Sequence, residues 1–296
     1  MTQQAAVAGF IGLGTMGSAL SARLLAAGYQ VSGYDIDPAR LAAHAGRGGQ
    51  AAGSPADAAA RADVVVTSLP SASALLEVAA GEAGLASGPR RDLVVIETST
   101  LPVAVKRQAR DALAGSGAVL LDCPLSGTGG QALAGDVVAY LSGPADAKAR
   151  ALPVLRACTR GVHDLGEFGN GSAVKFIANL LVAIHNAAAA EALVLAERAG
   201  LDLAAVLTAV ADGAGSSDMF KVRGPAMAAA DYSGPGMATE MFAKDLDIIA
   251  GFARETGTPT PLFALASSFY AAALAQGHAE DDTACVHAVL RGLAGR

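Results

Sequence analysis

The chain has little charge and no concentrated positive charge. Of its 296 residues, 16% are charged and 52% are hydrophobic, and the net charge is −6. These values exclude a disordered chain and are ample for a large buried core. The largest basic cluster is the pair Arg90–Arg91, so nucleic acid is not expected as a partner. An anionic ligand would need local positive groups, because the overall field does not attract it.

Cysteine is also scarce. Cys123, Cys158 and Cys285 are an odd number, and no two of them have the spacing of metal ligands. We therefore expect reduced thiols in a cytoplasmic protein and no metal site. The N-terminal residues have no basic region followed by an apolar run of signal length, so no secretion signal is expected.

A long uninterrupted apolar run is missing as well. The least polar stretch, residues 176–190, contains Asn179, His185 and Asn186. It is predicted to be too short and too polar to span a bilayer and is interpreted as a buried helix. A membrane is therefore not expected as a partner.

The first half of the chain alternates short β-branched runs with helical segments. Strands are predicted at 6–11, 30–34, 64–68, 93–97, 118–121, 137–141 and 161–164. Helices are predicted at 15–27, 73–80, 102–113 and 144–157, and Ser54–Pro55 has the pattern of a further helix start. This alternation is typical of an α/β fold with a Rossmann-type, doubly wound and mostly parallel sheet.

The pattern changes near Gly166, where a glycine-rich segment suits a linker. No strand is predicted after it. Helices are predicted at 172–199, 203–212, 217–229, 239–255, 261–276 and 281–293. We therefore expect an α/β domain over residues 1–165 and an all-α C-terminal domain over residues 166–296 that starts with a long interdomain helix.

A glycine-rich turn lies near the start of the chain. Three glycines form G-x-G-x-x-G within GFIGLGTMG, directly after an apolar strand and at the start of a helix. The first glycine permits a tight turn, the second lets a pyrophosphate approach the backbone, and the third lets helix and strand pack closely. The helix N-terminus favours negative charge. The predicted dinucleotide-binding residues of this turn are Gly12, Leu13, Gly14, Thr15, Met16 and Gly17.

The second strand ends in an acid. Asp35 lies about twenty residues past the turn, where a carboxylate would accept hydrogen bonds from the adenosine ribose hydroxyls. The same carboxylate would repel a 2′-phosphate, and the next residue is Ile36 rather than an arginine. We therefore predict NAD over NADP. The alternative is that Asp35 is only a turn residue before Asp37–Pro38.

Six short segments occur in a fixed order along the chain. They are GFIGLGTMG at 9–17, LP at 69–70, ETST at 97–100, DCPLSG at 122–127, GNGSAVKFIAN at 169–179 and AKDL at 243–246. Together they resemble the 3-hydroxyisobutyrate dehydrogenase family of β-hydroxyacid dehydrogenases over nearly the whole chain. The resemblance implies an NAD-dependent dehydrogenase of small 3-hydroxy acids, with an NAD-binding domain followed by a helical substrate and dimerisation domain.

The resemblance also implies roles for individual residues. Lys175 matches the catalytic lysine, and Asn179 matches the substrate-binding asparagine one turn later. Ser126 and Gly127 match the loop that holds the substrate carboxylate, and Thr128 continues it. The further cofactor contacts that the resemblance implies are Leu69, Pro70, Thr100 and Lys244.

The chemistry of Lys175 can also be argued from the residues. Lys175, Asn179 and Asn186 fall on one face of an otherwise apolar predicted helix. Polar groups there are costly unless they face a cleft or each other. Burial favours the neutral form of a lysine, and alcohol oxidation needs such a base. The alternatives are a surface lysine at a helix start, a structural hydrogen bond for Asn186 and an ordinary turn at Ser126.

The substrate loop departs from the family pattern, which commonly reads S-G-G-x-x-G-A. Thr128 and Gln131 replace two of its glycines and would add bulk and hydrogen-bonding groups near the substrate. Ala74, Ala178 and Met237 also stand where other residues are common. The retained lysine preserves the reaction class, while the identity of the hydroxy acid stays open.

Other functions remain as alternatives. A reductase acting on an aldehyde acid such as tartronate semialdehyde would use the same residues. Imine reductases share the architecture but usually lack the lysine and carry an arginine after the second strand. A 6-phosphogluconate dehydrogenase is disfavoured, because its longer helical domain and basic phosphate ligands are not found in this sequence. A nucleotide-sensing module would be non-catalytic.

The expected ligand is a small anionic hydroxy or oxo acid. The apolar helices after Gly200 offer more surface than the domain needs to bury alone, so a homodimer or homotetramer is expected.

Overall fold

The computed structural model describes residues 6–88, 92–234 and 236–295. The pair Arg90–Arg91 lies outside the described residues. The chain divides into two compact units, Met1–Lys175 and Phe176–Arg296. This division lies after the boundary expected at residue 165, inside the long helix that follows the glycine-rich segment.

The first unit is built on a six-stranded parallel sheet. Its strands are β1 (Val7–Ile11), β2 (Gln30–Tyr34), β3 (Gln50–Ala51), β4 (Val64–Thr67), β5 (Val94–Glu97) and β6 (Val119–Asp122). Their spatial order is β3-β2-β1-β4-β5-β6, so the winding reverses between β1 and β4. This is the strand order of a Rossmann sheet, and it confirms the predicted fold class.

Successive side chains of the central strands enter two different cores. Phe10 packs in the hydrophobic core on one face of the sheet, and the next residue, Ile11, packs in the core on the other face. Val64 and Val65 divide in the same way. The alternation follows from the two-residue period of a strand, and burial on both faces explains the continuous apolar runs.

The helices of the first unit connect these strands. They are α1 (Thr15–Ala26), α2 (Pro38–Gly46), α3 (Pro55–Ala59), α4 (Ala72–Ala80), α5 (Val103–Ala114), α6 (Gly129–Ala134) and α7 (Ala145–Cys158). Helix α2 was not predicted. The Asp37 side chain accepts a hydrogen bond from the Ala39 amide, and Pro38 is the first helical residue. Asp37–Pro38 is therefore a helix start rather than only a turn.

A second, three-stranded sheet follows β6. Its strands are β7 (Leu125–Ser126), β8 (Val138–Leu141) and β9 (Gly161–Asp164), with β7 antiparallel and β9 parallel to β8. The sequence analysis attributed 137–141 and 161–164 to the main sheet, which is wrong. Pro124 lacks an amide hydrogen and follows the end of β6, which favours a change of direction there.

The second unit consists of helices in its described residues, apart from an isolated bridge between Ala238 and Asp282. The helices from Asn170 onward are α8 (Asn170–Arg198), α9 (Leu203–Ala211), α10 (Asp218–Ala229), α11 (Thr239–Glu255), α12 (Pro261–Ala275) and α13 (Val286–Leu293). The helix predicted from residue 281 begins at Val286 instead, after a 3-10 turn over Thr283–Cys285. Asp282 accepts hydrogen bonds from the Met237 amide and Arg223, which hold it outside the helix.

Helix α8 is longer than the stretch that the sequence analysis compared with a bilayer. It has 29 residues and is long and apolar enough to cross a membrane by length and composition, and 44% of its most apolar window is buried in the protein. The prediction that this segment is too short and too polar is therefore corrected. One such helix is weak evidence for a membrane span, because the core helix of a soluble protein has the same length and composition.

Candidate active site

The glycine-rich turn between β1 and α1 leaves no room for side chains at two of its glycines. Gly12 has a φ of +87°, and a Cβ there would lie 2.1 Å from the Ser68 carbonyl oxygen. A Cβ on Gly17 would lie 1.9 Å from the Gly12 carbonyl oxygen. A Cβ on Gly14 would meet only the end of the Arg40 side chain, at 3.7 Å. Packing within the protein therefore requires the first and third glycines, whereas the second leaves the helix N-terminus open to a ligand.

The acid at the end of β2 is bonded to this turn. Asp35 is buried, and its Oδ2 accepts a hydrogen bond from the Leu13 amide at 2.6 Å. Its Oδ1 accepts from the Asp37 amide at 2.9 Å, and the Arg40 guanidinium lies 3.8 Å from Oδ2. Each carboxylate oxygen can accept a second hydrogen bond, so these contacts leave acceptor capacity for a ribose hydroxyl. Ile36 is 88% exposed beside it.

The remaining residues of the turn lie where the sequence predicted them. Thr15 and Met16 are the first residues of α1, and Leu13 is buried just before it. Met16 packs partly against the core on that face of the sheet. The turn is thus a continuous segment from strand to helix.

Two further loops leave the carboxyl ends of neighbouring strands. Leu69 and Pro70 follow β4, and Thr100 follows β5. The Leu69 amide donates a hydrogen bond to Ser99 Oγ at 2.8 Å, and the Ser99 amide donates to the Glu97 carboxylate at 3.0 Å. Hydrogen bonds therefore connect the two loops at the carboxyl ends of the strands, where ligands of such folds bind.

The predicted substrate loop is more ordered than expected. Ser126, expected in a turn after a strand end, is the last residue of β7 and pairs with Val138. Gly127 has a φ of +140°. The Thr128 amide donates a hydrogen bond to Gln131 Oε1 at 2.9 Å, and the Gln131 amide donates to Thr128 Oγ1 at 3.4 Å.

These two reciprocal bonds form a capping box at the start of α6. The sequence signal for it was present, because Thr-x-x-Gln is the spacing of a capping box, although both residues were interpreted only as departures from the family pattern. Thr128 and Gln131 bond to each other across the first turn of this helix, so they order the end of the predicted substrate loop.

The substrate loop packs beside the glycine-rich turn. A Cβ on Gly129 would lie 2.4 Å from Thr15 Cγ2, so the absence of a side chain there allows α6 to approach α1. An Arg23 guanidinium nitrogen donates to the Leu133 carbonyl oxygen at 3.4 Å across the same contact. The first unit thus brings the two predicted binding loops together.

Helix α8 carries the predicted acid–base residue. Lys175 is 7% exposed, and Asn179 is also buried, one helical turn later. Asn179 Nδ2 donates a hydrogen bond to Asp245 Oδ2 at 2.9 Å, and Lys244 Nζ lies 3.5 Å from Asp245 Oδ1. An ionised carboxylate only accepts hydrogen bonds, so Asp245 fixes which end of the Asn179 amide faces it. The second unit therefore groups Asn179, Lys244 and Asp245.

The third polar residue of this helix face has a structural environment. Asn186 is buried, and its Nδ2 donates to the Tyr270 hydroxyl at 3.1 Å and to the Thr283 carbonyl oxygen at 2.7 Å. These contacts support the alternative in which Asn186 bonds to a neighbouring helix. We do not include it in the site.

A buried charge cluster in the first unit was not predicted from the sequence. Glu97, Lys106 and Asp122 are all 0% exposed, and Lys106 Nζ lies 2.9 Å from Glu97 Oε2 and 2.8 Å from Asp122 Oδ1. Burial alone would lower the pKa of Lys106, but the two carboxylates outweigh it and raise that pKa. The available signal was an acid at the end of two apolar strands, VVIE and VLLD, because a buried carboxylate requires a partner.

The comparison with known proteins begins with two sequence families that match the chain in succession. The NAD binding domain of 6-phosphogluconate dehydrogenase matches residues 7–166, and the NAD-binding domain of NADP-dependent 3-hydroxyisobutyrate dehydrogenase matches residues 169–290. The chain belongs to the 3-hydroxyisobutyrate dehydrogenase family. This confirms the family resemblance drawn from the sequence.

Individual relatives agree with this family. An L-threonate dehydrogenase of Cupriavidus necator is 37% identical over 286 residues, which cover 96% of each chain. The mitochondrial 3-hydroxyisobutyrate dehydrogenase of Homo sapiens is 33% identical over 96% of this chain and 86% of the relative. A solved 3-hydroxyisobutyrate dehydrogenase of Mycobacterium tuberculosis with L-serine is 30% identical over 97% of this chain and all of the other, with a TM-score of 0.88.

As a member of the 3-hydroxyisobutyrate dehydrogenase family, the protein is an NAD(P)-dependent hydroxyacid dehydrogenase. Imine reductases at 21% identity or less share the fold alone. The glycine-rich turn fits the dinucleotide of the family, because its first and third glycines are required by packing and its second leaves space for a ligand.

Proposed function

We propose that the protein is an NAD-dependent dehydrogenase that interconverts a small 3-hydroxy acid with its 3-oxo acid or semialdehyde, with Lys175 as general acid and base. The observation that carries this proposal is the burial of Lys175 in a helix of a hydroxyacid dehydrogenase. Burial of a lysine amine is costly unless the amine is bonded or takes part in the reaction.

The residues of the chain divide the work of the reaction. A dinucleotide held at the glycine-rich turn would supply the hydride chemistry of the reaction. Lys175 Nζ accepts the hydroxyl proton during oxidation and donates it to the carbonyl oxygen during reduction. Asn179, oriented by Asp245, presents its amide oxygen to the substrate hydroxyl or to Lys175. The Ser126 hydroxyl and the Gly127 amide hold the substrate carboxylate, and Thr128, whose own amide already donates to Gln131 Oε1, closes the loop beside it.

The preference for NAD rests on the end of β2. Asp35 places a carboxylate beside the glycine-rich turn, and the exposed side chain that follows it is Ile36, which carries no charge. Arg40 lies near two carboxylates, those of Asp35 and Asp37, rather than alone in a phosphate site. A 2′-phosphate would therefore meet a negative group here. The further proposed cofactor contacts are Leu69, Pro70, Thr100 and Lys244.

The proposal is tested with a panel of 3-hydroxy acids, including L-threonate and 3-hydroxyisobutyrate, by following the absorbance of the reduced cofactor with NAD and with NADP. We expect oxidation of at least one acid and a lower KM for NAD. Inactivity on every member would reject the substrate class, and a lower KM for NADP would reject the cofactor preference. Initial rates in both directions with the active acid and its oxo product distinguish a dehydrogenase from a semialdehyde reductase.

Lys175→Ala tests the proposed acid and base. Removing a positioned proton-transfer group lowers kcat by about 10²- to 10⁴-fold. Lys221→Ala is the matched control, because Lys221 is an exposed lysine on α10, and it should leave kcat within twofold of the wild type. If the wild type is active and Lys175→Ala has the same turnover, a different group transfers the proton. If neither protein is active, the result supports a non-catalytic nucleotide-sensing role.

A further inference from the structure

The first turn of α8 is bonded to side chains that lie far away in the sequence. The Gly171 amide donates a hydrogen bond to Ser142 Oγ at 3.0 Å. The Ser172 amide donates to Asp122 Oδ2 at 2.8 Å, and Ser172 Oγ donates to Asp122 Oδ1 at 2.7 Å. The first amides of a helix have no acceptor within the helix, so these residues act as a remote cap.

The contact between this turn and the strand ends is tight. A Cβ on Gly171 would lie 2.3 Å from the Tyr140 carbonyl oxygen and 2.9 Å from the Asp122 carbonyl oxygen. Asp122, Ser142 and Ser172 are all buried. Within the first unit, the first turn of α8 therefore packs directly on the backbone of Asp122 and Tyr140, because Gly171 has no side chain.

Both oxygens of the Asp122 carboxylate accept hydrogen bonds. Oδ1 accepts from Lys106 Nζ at 2.8 Å and from Ser172 Oγ. Oδ2 accepts from the Ser172 amide, and Ser142 Oγ lies 3.2 Å both from Oδ2 and from the Asp122 carbonyl oxygen, which share its one hydrogen. These donors fix the orientation of the carboxylate, and Lys106 supplies the charge that allows it to stay ionised in a buried position.

The residues bonded to Asp122 and Ser142 lie directly before the proposed acid–base residue. In an α-helix the amide of residue 175 donates to the carbonyl oxygen of residue 171. The amide of Gly171 in turn donates to Ser142 Oγ. We propose that Asp122, paired with Lys106, is a positioning residue that sets the location of Lys175 through the first turn of α8. The inference rests on the proposed role of Lys175. Asp122 itself touches neither substrate nor cofactor in this assignment.

The decisive experiment combines Asp122→Asn with Lys175→Ala. Misplacing a catalytic group by about 1 Å costs up to about 100-fold in rate, so Asp122→Asn should lower kcat by about 10- to 100-fold. If Asp122 acts through Lys175, adding Asp122→Asn to Lys175→Ala should lower the residual kcat by less than twofold. An equal loss in both backgrounds, or no loss in the single variant, overturns the inference.

The same variants separate this inference from the proposed function. If Lys175→Ala retains full activity, the proposed function fails. If Lys175→Ala is inactive while Asp122→Asn is fully active, only the positioning role fails. Asp136→Asn is the matched control, because Asp136 pairs with Arg160 at the surface of the same unit. It should leave kcat and KM unchanged.

A second variant and a second measurement cover the case in which Asp122→Asn does not fold. Ser172→Ala removes one hydroxyl donor and keeps the amide, and we expect a smaller loss in kcat, about two- to tenfold, with the KM for NAD within twofold of the wild type. Amide hydrogen exchange of the peptide containing residues 170–178 should be faster in this variant than in the wild type. Unchanged exchange and unchanged kcat would overturn the positioning role.

Discussion

Replacing Lys106 with methionine should destabilise the first unit strongly and in a pH-dependent way. Lys106 Nζ lies 2.9 Å from Glu97 and 2.8 Å from Asp122, and all three side chains are 0% exposed. At an effective dielectric constant of about 20, each contact contributes about 6 kcal/mol of attraction, which the desolvation of the ions largely offsets. Removing the shared cation leaves two buried carboxylates with hydrogen-bond donors but no counter-charge, which costs about 3–5 kcal/mol.

The sign of the pH dependence follows from the pKa shifts. In the wild type, burial would raise the pKa of Asp122, but the Lys106 charge and the hydrogen bonds from Lys106 and Ser172 lower it below 3.8. The carboxylates raise the pKa of Lys106 above 10.5. The contribution of Asp122 is therefore lost only as pH falls through its folded pKa, and that of Lys106 only as pH rises through its own.

Between the folded pKa of Asp122 and that of Lys106, the stability of the Lys106→Met variant should depend on pH. Its buried carboxylates lack a cation, so burial favours their protonated form and the folded state binds more protons than the unfolded state. The Lys106→Met variant should therefore lose stability as pH rises above about 4, whereas in the wild type the ion pair of Lys106 and Asp122 contributes fully to stability over this range. The difference in free energy of unfolding between wild type and variant should be small near pH 4.5 and reach about 3–5 kcal/mol at pH 8.

Thermal unfolding at both pH values measures this difference. For a unit of this size, about 1 kcal/mol shifts Tm by about 2–4 °C, so the expected loss at pH 8 is about 6–20 °C. Lys148→Met is the matched control, because Lys148 is also buried but its partner Asp164 has a side chain that is 62% exposed. Water solvates this carboxylate when the lysine is removed, so the expected loss is at most about 1 kcal/mol. A loss below about 1 kcal/mol at pH 8, or an equal loss at both pH values, would refute the reasoning.

The glycine-rich turn offers two further predictions. Gly17→Ala should lower both Tm and the affinity for NADH, because its Cβ would lie 1.9 Å from the Gly12 carbonyl oxygen. Gly14→Ala should leave Tm unchanged and weaken only NADH binding, because its Cβ meets only the Arg40 side chain, at 3.7 Å. Thermal unfolding and a fluorescence titration with NADH measure both, and normal binding by Gly14→Ala would contradict the assigned role. Asp35→Asn removes the charge and keeps one side-chain oxygen, which can still accept from the Leu13 amide, while the bond from the Asp37 amide is lost. The charge is worth about 1–3 kcal/mol against a nearby phosphate, so the proposed preference for NAD over NADP should narrow about 5- to 150-fold. An unchanged ratio of kcat/KM values for the two cofactors would show that Asp35 does not discriminate between them.

Local patterns predicted most of the elements because their signals lie within a few residues. Strand β2 and helix α11 have the predicted bounds, and β1, α1 and α8 differ by one or two residues at either end. The start of α2 was available in the same way, since Asp37–Pro38 is a helix cap followed by proline. The capping box of Thr128 and Gln131 was another local signal that the analysis did not use.

The contacts that organise the candidate site have no local signal. Asp122 bonds to Ser172, 50 residues later in the chain, and Asn179 bonds to Asp245, 66 residues later. The same holds for the separate sheet, in which β7 pairs with β8 rather than continuing β6. Such contacts depend on which distant segments of the chain meet in the fold. The spacing of residue types along one sequence does not predict which segments these are.

The sequence alone therefore determined the glycine-rich turn, the alternation of strands and helices, the helical second half and the family, because each depends on short-range geometry or on an ordered set of motifs. The tertiary structure decided that Asp35 bonds to the Leu13 amide, that Lys175 is buried, and that Asp122, paired with Lys106, bonds to Ser172 in the first turn of α8. The physical reason is that burial and ion pairing are properties of the packed chain. A charged residue at the end of an apolar strand requires a partner, and only the fold selects which residue that partner is.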